Sequence, residues 1–280
     1  MSVRIKSVLR RIPLARRAYA GMRTWPERGV GRRWRDRLQG RKLFENYGSY
    51  VRALYRKGEG TAVLRTHDGL SITIRQNLWD ARVVREIFFV RPYMRHIALR
   101  PNPTVVDVGG YIGDFSLYAA KYLEASRVIV YEPTAENFAI LTQNIDANGY
   151  GDRIIAVNKA VSDSDQVTLN IRTLDSGEVH VSAYWYRDSP QRQVQAVTLP
   201  DLLEAHELEF VDLVKIDCEG GEYDILPAVP QQVLDRIRNI VFEYHRFEGF
   251  EARLQRVLDG LQRSGFTLRE EGHIVSAYRA

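Results

Sequence analysis

The stretch VVDVGGYIGDFSLYAAK, residues 105–121, constrains this chain more than any other. An apolar run enters a glycine-rich bend, and an amphipathic run leaves it. TVVDV predicts a buried strand, and the spacing that follows predicts a helix over about 112–123. A helix that starts at such a bend presents unpaired N–H groups. Glycines there permit backbone angles and close approaches that side chains obstruct.

The same alternation continues downstream. RVIVYE reads as a second strand. PTAENFAILTQNIDANG reads as a helix, with Pro133 at its entrance and Gly149 near its end. RIIAVN, VDLVKID and NIVFEYH are further strands of parallel type. EARLQRVLDGLQRSG is a helix, and FTLRE with HIVSAYR closes as a hairpin around Glu271-Gly272. Strands alternating with helices imply right-handed crossovers and a mostly parallel sheet, and the final hairpin adds an antiparallel edge. Between residues 162 and 199 lie short β-prone pieces, VTLNIR, VHVSAYWY and QAVTL. Upstream, TAVLRTHDGLSITIR reads as a hairpin tipped by Asp68-Gly69. DARVVREIFFVRPYMRHI suits a helix that breaks or bends near Pro92. The expected organisation is a basic arm over 1–42, a helical and hairpin lead-in over 43–103, and an α/β domain over 104–280 with a β-rich insert at about 162–199.

Charge is uneven. Residues 1–42 hold fourteen of the 40 Lys and Arg but only two acids, Glu27 and Asp36, a charge of +12. The net charge of +5 leaves the other 238 residues at −7. Cys218 is the only cysteine, so no internal disulfide forms. No run of 18 or more apolar residues reads as a membrane span, and the basic N-terminus has no clean signal-peptide pattern. A cytoplasmic, reducing home is the expectation.

Asp107 ends the first strand, followed by Gly109, Gly110 and Gly113. Glu132 ends the next strand, where a carboxylate can accept both hydroxyl hydrogens of a ribose. Together they describe a pocket for a nucleoside cofactor. A dinucleotide usually needs G-x-G-x-x-G, and this bend reads G109-G-Y-I-G113. An inward Asp107 would repel a pyrophosphate. The same carboxylate suits the cationic amino-acid end of S-adenosylmethionine, which charge therefore favours.

Ligands in open α/β sheets bind beyond the carboxyl ends of the strands. KIDCEGGEYDIL, residues 215–226, puts Asp217, Glu219 and Glu222 there. Asp217 can touch the methionyl part of the cofactor or the acceptor. Glu219 or Glu222 can take a proton from an acceptor hydroxyl, although an acid such as Glu222 is also favoured in the first turn of a helix. NIVFEYH ends at Glu243, Tyr244 and His245. An imidazole can act as a base near neutral pH or can hold the acceptor by a hydrogen bond. His245 is the first candidate for the base and Glu219 the second. Asp217, Glu243 and His245 also offer ligands to a divalent ion such as magnesium. Nothing in the sequence fixes that geometry, and a metal is compatible rather than expected. Cys218, beside these acids, reads as packing, because their field weakens a thiol nucleophile.

These segments together resemble the FkbM family of S-adenosylmethionine-dependent methyltransferases. The resemblance rests on VVDVGGYIGDFSLYAAK, VIVYEPTAENFAILTQNIDANG, IIAVNKAVSD, VDLVKIDCEGGEYDIL and NIVFEYH, over roughly residues 104–245. KID-x-EG-x-E at 215–222 is the most specific of them. It implies a class I methyltransferase (Rossmann-like) fold, a seven-stranded sheet with a terminal antiparallel hairpin. It also implies O-methylation of a sugar, glycan or natural product. It assigns Asp107, Gly109 and Gly113 to the cofactor loop and Glu132 to the ribose. It places Asn158 to Ala160, with Asp163, near the adenine. The general class I pattern has a glycine where this chain has Tyr111.

Methyl transfer to oxygen requires alignment of acceptor, carbon and sulfur, and a base for the hydroxyl proton. Tyr184, Trp185, Tyr186 and Arg187 can shape an acceptor lid, or form a partly buried strand. The basic arm suits an anionic membrane surface, which would make the enzyme membrane-peripheral. Two rival classes are a nucleic-acid methyltransferase and a non-catalytic nucleoside-binding module. The acidic core and the absence of a proline-aromatic signature after the fourth strand argue against nucleic acid. A module would not need acids at successive strand ends.

Overall fold

The structure is a computed structural model, and it describes residues 40–173, 179–182 and 190–279. The basic arm lies almost wholly outside the described residues, and so do Tyr184, Trp185, Tyr186 and Arg187. Among the described residues no helix is long and apolar enough to cross a membrane.

The lead-in begins with α1 (Tyr47–Tyr55) and the hairpin β1 (Thr61–Arg65) and β2 (Ser71–Arg75), paired antiparallel. Gly69 at its tip has a φ of 90°, which suits glycine. The predicted helix after it is shorter than its sequence pattern. α2 (Trp79–Arg85) runs into a π-helical turn at Glu86–Val90, Arg91 is left-handed, and a 3-10 turn follows at Pro92–Met94. Proline interrupts the ladder, as expected, and the widened turn precedes it.

The α/β part runs β3 (Thr104–Val108), α3 (Asp114–Tyr122), β4 (Arg127–Tyr131), α4 (Ala135–Ala147) and β5 (Ile154–Val157). After a small second sheet it resumes with α5 (Leu199–Ala205), β10 (Leu213–Ile216), α6 (Glu222–Ala228), α7 (Gln231–Leu234), β11 (Asn239–Glu243), α8 (Phe250–Arg263), β12 (Thr267–Glu271) and β13 (Ile274–Tyr278). The main sheet has seven strands in the order β12-β13-β11-β10-β3-β4-β5. All neighbours are parallel except the final hairpin and its junction with β11. This is the class I architecture expected from the sequence. The chain leaves β3 toward β4 and later returns to β10 on the other side, so a crevice opens at the carboxyl ends of β3 and β10. α3 starts at Asp114, two residues later than the spacing suggested, because Gly113 with φ 83° serves as its N-cap.

The insert forms β6 (Ala160–Val161), β7 (Gln166–Thr173), β8 (Val179–Ser182) and β9 (Gln191–Val197), a four-stranded sheet ordered β6-β9-β7-β8. Both faces of the main sheet are covered, which is why its strands read as near-continuous apolar runs. Val105, Val128, Val130, Leu213 and Val241 face one core, which they share with lead-in residues such as Phe44, Tyr50, Leu64 and Ile74. Val106, Ile129, Val214, Ile216 and Phe242 face the other, under α5, α6 and α8.

The lead-in is tied down by an amide ladder. Asn144 on α4 accepts from Thr73 N at 2.6 Å and donates to Thr73 O at 3.0 Å and Ile112 O at 2.8 Å. Asn148, one turn on, does the same for Ser71, at 2.8 and 2.7 Å. Two side-chain amides thus complete the free edge of β2, which would otherwise carry unpaired backbone groups.

Candidate active site

The bend after β3 is seated on the strands beside it. Gly109 N and Gly110 N both donate to Tyr131 O at 3.0 Å. Gly109 has φ 81°, and a Cβ there would lie 1.9 Å from the Asp217 carbonyl oxygen. A Cβ on Gly110 would lie 2.2 Å from Val130 Cγ2. The sequence suggested that these glycines make room for a ligand; the structure adds a second demand, since the end of β10 and the core under the bend leave no space for a side chain at Gly109 or Gly110. Gly113 serves its helix start.

Asp107 points inward, with no exposed surface. It lies opposite Lys215 in the β3–β10 register, and Lys215 Nζ is 3.1 Å from its Oδ1. Ser116 donates to its other oxygen at 2.7 Å. Lys215 also donates to Gly109 O at 2.8 Å. Burial pushes the Asp107 carboxyl up, and Lys215 pulls it back only in part. Asp107 is thus linked to the bend through Lys215. Lys215 was missed in the sequence; the signal that could have found it is a lone cation in the apolar run VDLVKID, since a buried lysine needs an acid.

Glu132 sits just past β4 and is buried. Its Oε2 accepts from Tyr111 N and its Oε1 from Thr134 N, both at 2.9 Å. Burial raises its carboxyl above the usual range despite these donors. Asn158 donates to Glu132 O at 2.8 Å, so these two expected cofactor residues are neighbours. Asp163 is exposed and accepts from Ser162 Oγ at 3.2 Å; no hydrogen bond ties it to Glu132 among the described residues. Tyr111, left-handed at φ 49°, donates its hydroxyl to Asp80 at 2.7 Å and lies under the Arg75 guanidinium. Arg75 in turn pairs with Asp80 at 3.0 Å. The lead-in thus braces the bend at the position where a glycine is usual.

The acids of KIDCEGGEYDIL meet the end of β11. Ile216 pairs with Phe242, so Asp217 arrives beside Glu243. Tyr93, buried on the 3-10 turn, reaches both, at 2.8 Å from Asp217 Oδ2 and 3.1 Å from Glu243 Oε2. Burial, then the Asp217 charge, pushes Glu243 up to about 8. Glu222 is fully buried and staples two loops: it accepts from Gly220 N at 2.9 Å and from His245 N at 2.8 Å. His245 Nδ1 is 3.3 Å from Glu222 Oε1, while Nε2 is 3.7 Å from Asp217 Oδ1 and 3.9 Å from Glu219 Oε2. Burial alone would lower the imidazole, but Glu219 and Glu222 override it and hold its proton well above the ordinary range. Burial also pushes the Cys218 thiol up, reinforced by Glu222 and Asp217.

The structure therefore gathers Asp217, Glu219, Glu222, Glu243 and His245 beside a clamped glycine bend and sets Glu132 with Asn158 one strand away. Tyr93 was missed in the sequence, because nothing local links it to acids more than a hundred residues on. Residues 107–268 match the methyltransferase FkbM domain model. This chain belongs to the FkbM methyltransferase family. It is accordingly an enzyme that uses S-adenosylmethionine. Among FkbM relatives, the 31-O-demethyl-FK506 methyltransferase FkbM of Streptomyces tacrolimicus is 29% identical over 239 residues, covering 74% of this chain and 90% of its own. Methyltransferase 1 of Beauveria bassiana is 27% identical over 209 residues, covering 67% and 81%. The 2-O-methyltransferase NoeI of Sinorhizobium fredii is 25% identical over 206 residues, covering 67% and 83%.

The donor set suits the FkbM cofactor. Glu132 Oε1 accepts from Thr134 N, Thr134 Oγ1 and Asn137 Nδ2, while Oε2 accepts from Tyr111 N alone, which leaves Oε2 one lone pair for a further hydroxyl donor. Asp217 and Glu219, past β10, are partly exposed carboxyl groups, a chemistry that suits a sulfonium or an ammonium.

Proposed function

We propose that this enzyme methylates a hydroxyl of a sugar, glycan or natural product. The observation that carries this reading is the group formed by Asp217, Glu219 and His245 at the ends of β10 and β11. A hydroxyl must lose its proton as it is methylated, and these residues supply acceptors for it. S-adenosylmethionine, when bound, supplies a methyl group already activated by positive sulfur.

The chain's own groups divide the remaining work. Glu132 and Asn158 mark the ribose and adenine side, with Asp163 further out. Gly109, Gly110 and Gly113 form the bend, which Asp107 holds through Lys215. Glu219 is the open base. Its side chain is 29% exposed, and its carboxylate lies 3.9 Å from the imidazole. His245, with Nδ1 against Glu222 and its proton firmly held, orients the acceptor together with Asp217. The sequence put the imidazole first and Glu219 second; the carboxylates packed round the imidazole favour the reverse. The names of two relatives, a 31-O-demethyl and a 2-O-methyltransferase, support oxygen as the acceptor atom.

The test is methyl transfer from labelled cofactor to hydroxylated glycans and macrolides, with RNA as the contrasting arm. Transfer to RNA alone would overturn the reading. Glu219→Gln should lower turnover by roughly 100-fold with cofactor affinity kept, and full activity in that variant would remove Glu219 from the role. The +12 arm is proposed to rest on anionic membrane. Sedimentation of the full chain with phosphatidylserine vesicles, lost at high salt, is the expected result, and no sedimentation at low salt would end that idea.

A further inference from the structure

One atom each from Asp217, Glu243 and His245 lies within 4.8 Å of the others, the one such convergence of metal-type ligands among the described residues. Two carboxylates and an imidazole are a donor set for a divalent cation that prefers hard or borderline ligands. Proximity alone is common among acids. Here each ligand also has a hydrogen-bond partner outside the set.

Tyr93 lies against Asp217 Oδ2 at 2.8 Å and Glu243 Oε2 at 3.1 Å. That leaves Asp217 Oδ1 turned toward His245 Nε2, 3.7 Å away. His245 Nδ1 is backed by Glu222 Oε1 at 3.3 Å, and Glu222 is fully buried and fixed by two backbone N–H groups. A carboxylate behind an imidazole and a phenol behind carboxylates are the partners that orient metal ligands. The Asp217 side chain is 30% exposed and that of His245 14%. Two further carboxyl groups stand at the site, Glu222 at 3.3 Å and Glu219 at 3.9 Å from the imidazole, and the Lys215 ammonium lies toward Asp107, 3.1 Å away against 3.9 Å to Asp217.

We propose that Asp217, Glu243 and His245 hold one divalent cation of the magnesium or manganese class, which takes the place of the proton on His245 Nε2, with Tyr93 and Glu222 as positioning residues. The cation's remaining coordination positions face the mouth of the site. There they take oxygens of the acceptor, which would fix a hydroxyl beside Glu219 and make its proton easier to remove. This use of the cation rests on the hydroxyl-acceptor reading; the binding site itself does not.

The experiment is manganese binding to the full chain, stripped with chelator and loaded with S-adenosylhomocysteine, followed by electron paramagnetic resonance and by magnesium competition. One saturable ion per chain is expected, displaced by magnesium. Glu243→Gln and Asp217→Asn should abolish that ion. Tyr93→Phe, which keeps the buried ring, should weaken it by about 10–100-fold. Calorimetric affinity of Glu243→Gln for S-adenosylhomocysteine reports that the variant is folded. No saturable ion in the millimolar range, or an ion bound equally by Glu243→Gln, overturns the proposal. Transfer to a hydroxyl that is undiminished by chelation removes the cation's role and leaves the hydroxyl reading standing. An ion bound as expected with transfer only to nitrogen acceptors does the opposite.

Discussion

Lys215 and Asp107 face each other across two parallel strands, their charged atoms 3.1 Å apart, and the lysine reaches on to the carbonyl of Gly109 at 2.8 Å. Both side chains are almost wholly buried. A buried charge stripped of its partner costs far more than the pair contributes. Lys215→Met should therefore destabilise the protein by about 3–5 kcal/mol, read by chemical denaturation. Asp107→Asn combined with Lys215→Met should recover much of that loss. Equal instability of the single and double variants would show that the pair is not the source.

Glu132 joins the bend to the start of α4, since one oxygen holds Tyr111 N and the other Thr134 N. Glu132→Ala is expected to weaken S-adenosylhomocysteine binding by roughly 10–100-fold, measured by calorimetry on protein shown to be folded. Unchanged affinity would remove Glu132 from the ribose.

The division between what was legible and what was not follows from how local each cause is. TVVDV, VDLVKID and NIVFEYH are recognisable because a strand buried on both faces must be apolar throughout. Gly109 and Gly113 are recognisable because their left-handed angles are forced within a few residues. Once strand ends were placed, Asp217, Glu243 and His245 followed, because the crossover rule puts those ends side by side. One demand on the bend was not legible: a carbonyl at residue 217 excludes a Cβ at Gly109, a contact the chain makes only after folding. Tyr93 and the lead-in brace at Arg75, Asp80 and Tyr111 depend on tertiary packing alone. Their residue types have ordinary surface or core uses that no spacing rule separates from this one.

The amide ladder carries its own prediction. Asn144 satisfies a backbone donor and two backbone acceptors in the interior. Asn144→Leu keeps the volume and orphans all three, so unfolding free energy should fall by about 3 kcal/mol. The loss should appear with faster amide exchange at Thr73 than at β10. Uniform exchange rates in the variant would show that β2 does not depend on this residue for its edge.

Asp114 gives a pH signature. It opens α3, is buried, and burial pushes its carboxyl up to about 8, against a model-peptide value of 3.8, with Lys215 opposing only in part. A folded value above the unfolded one means that the native state binds the extra proton between those limits. Stability from this group is therefore complete below about pH 4 and is lost as pH rises toward 8. Asn resembles the protonated acid in shape and charge. Asp114→Asn should raise the melting temperature at pH 8 relative to the parent and leave it nearly unchanged at pH 4, in scans matched for ionic strength. A gain of equal size at both pH values would mean that the substitution acts through packing, and a loss at pH 8 would mean that the ionised carboxylate is needed, most directly as a counter-charge to Lys215.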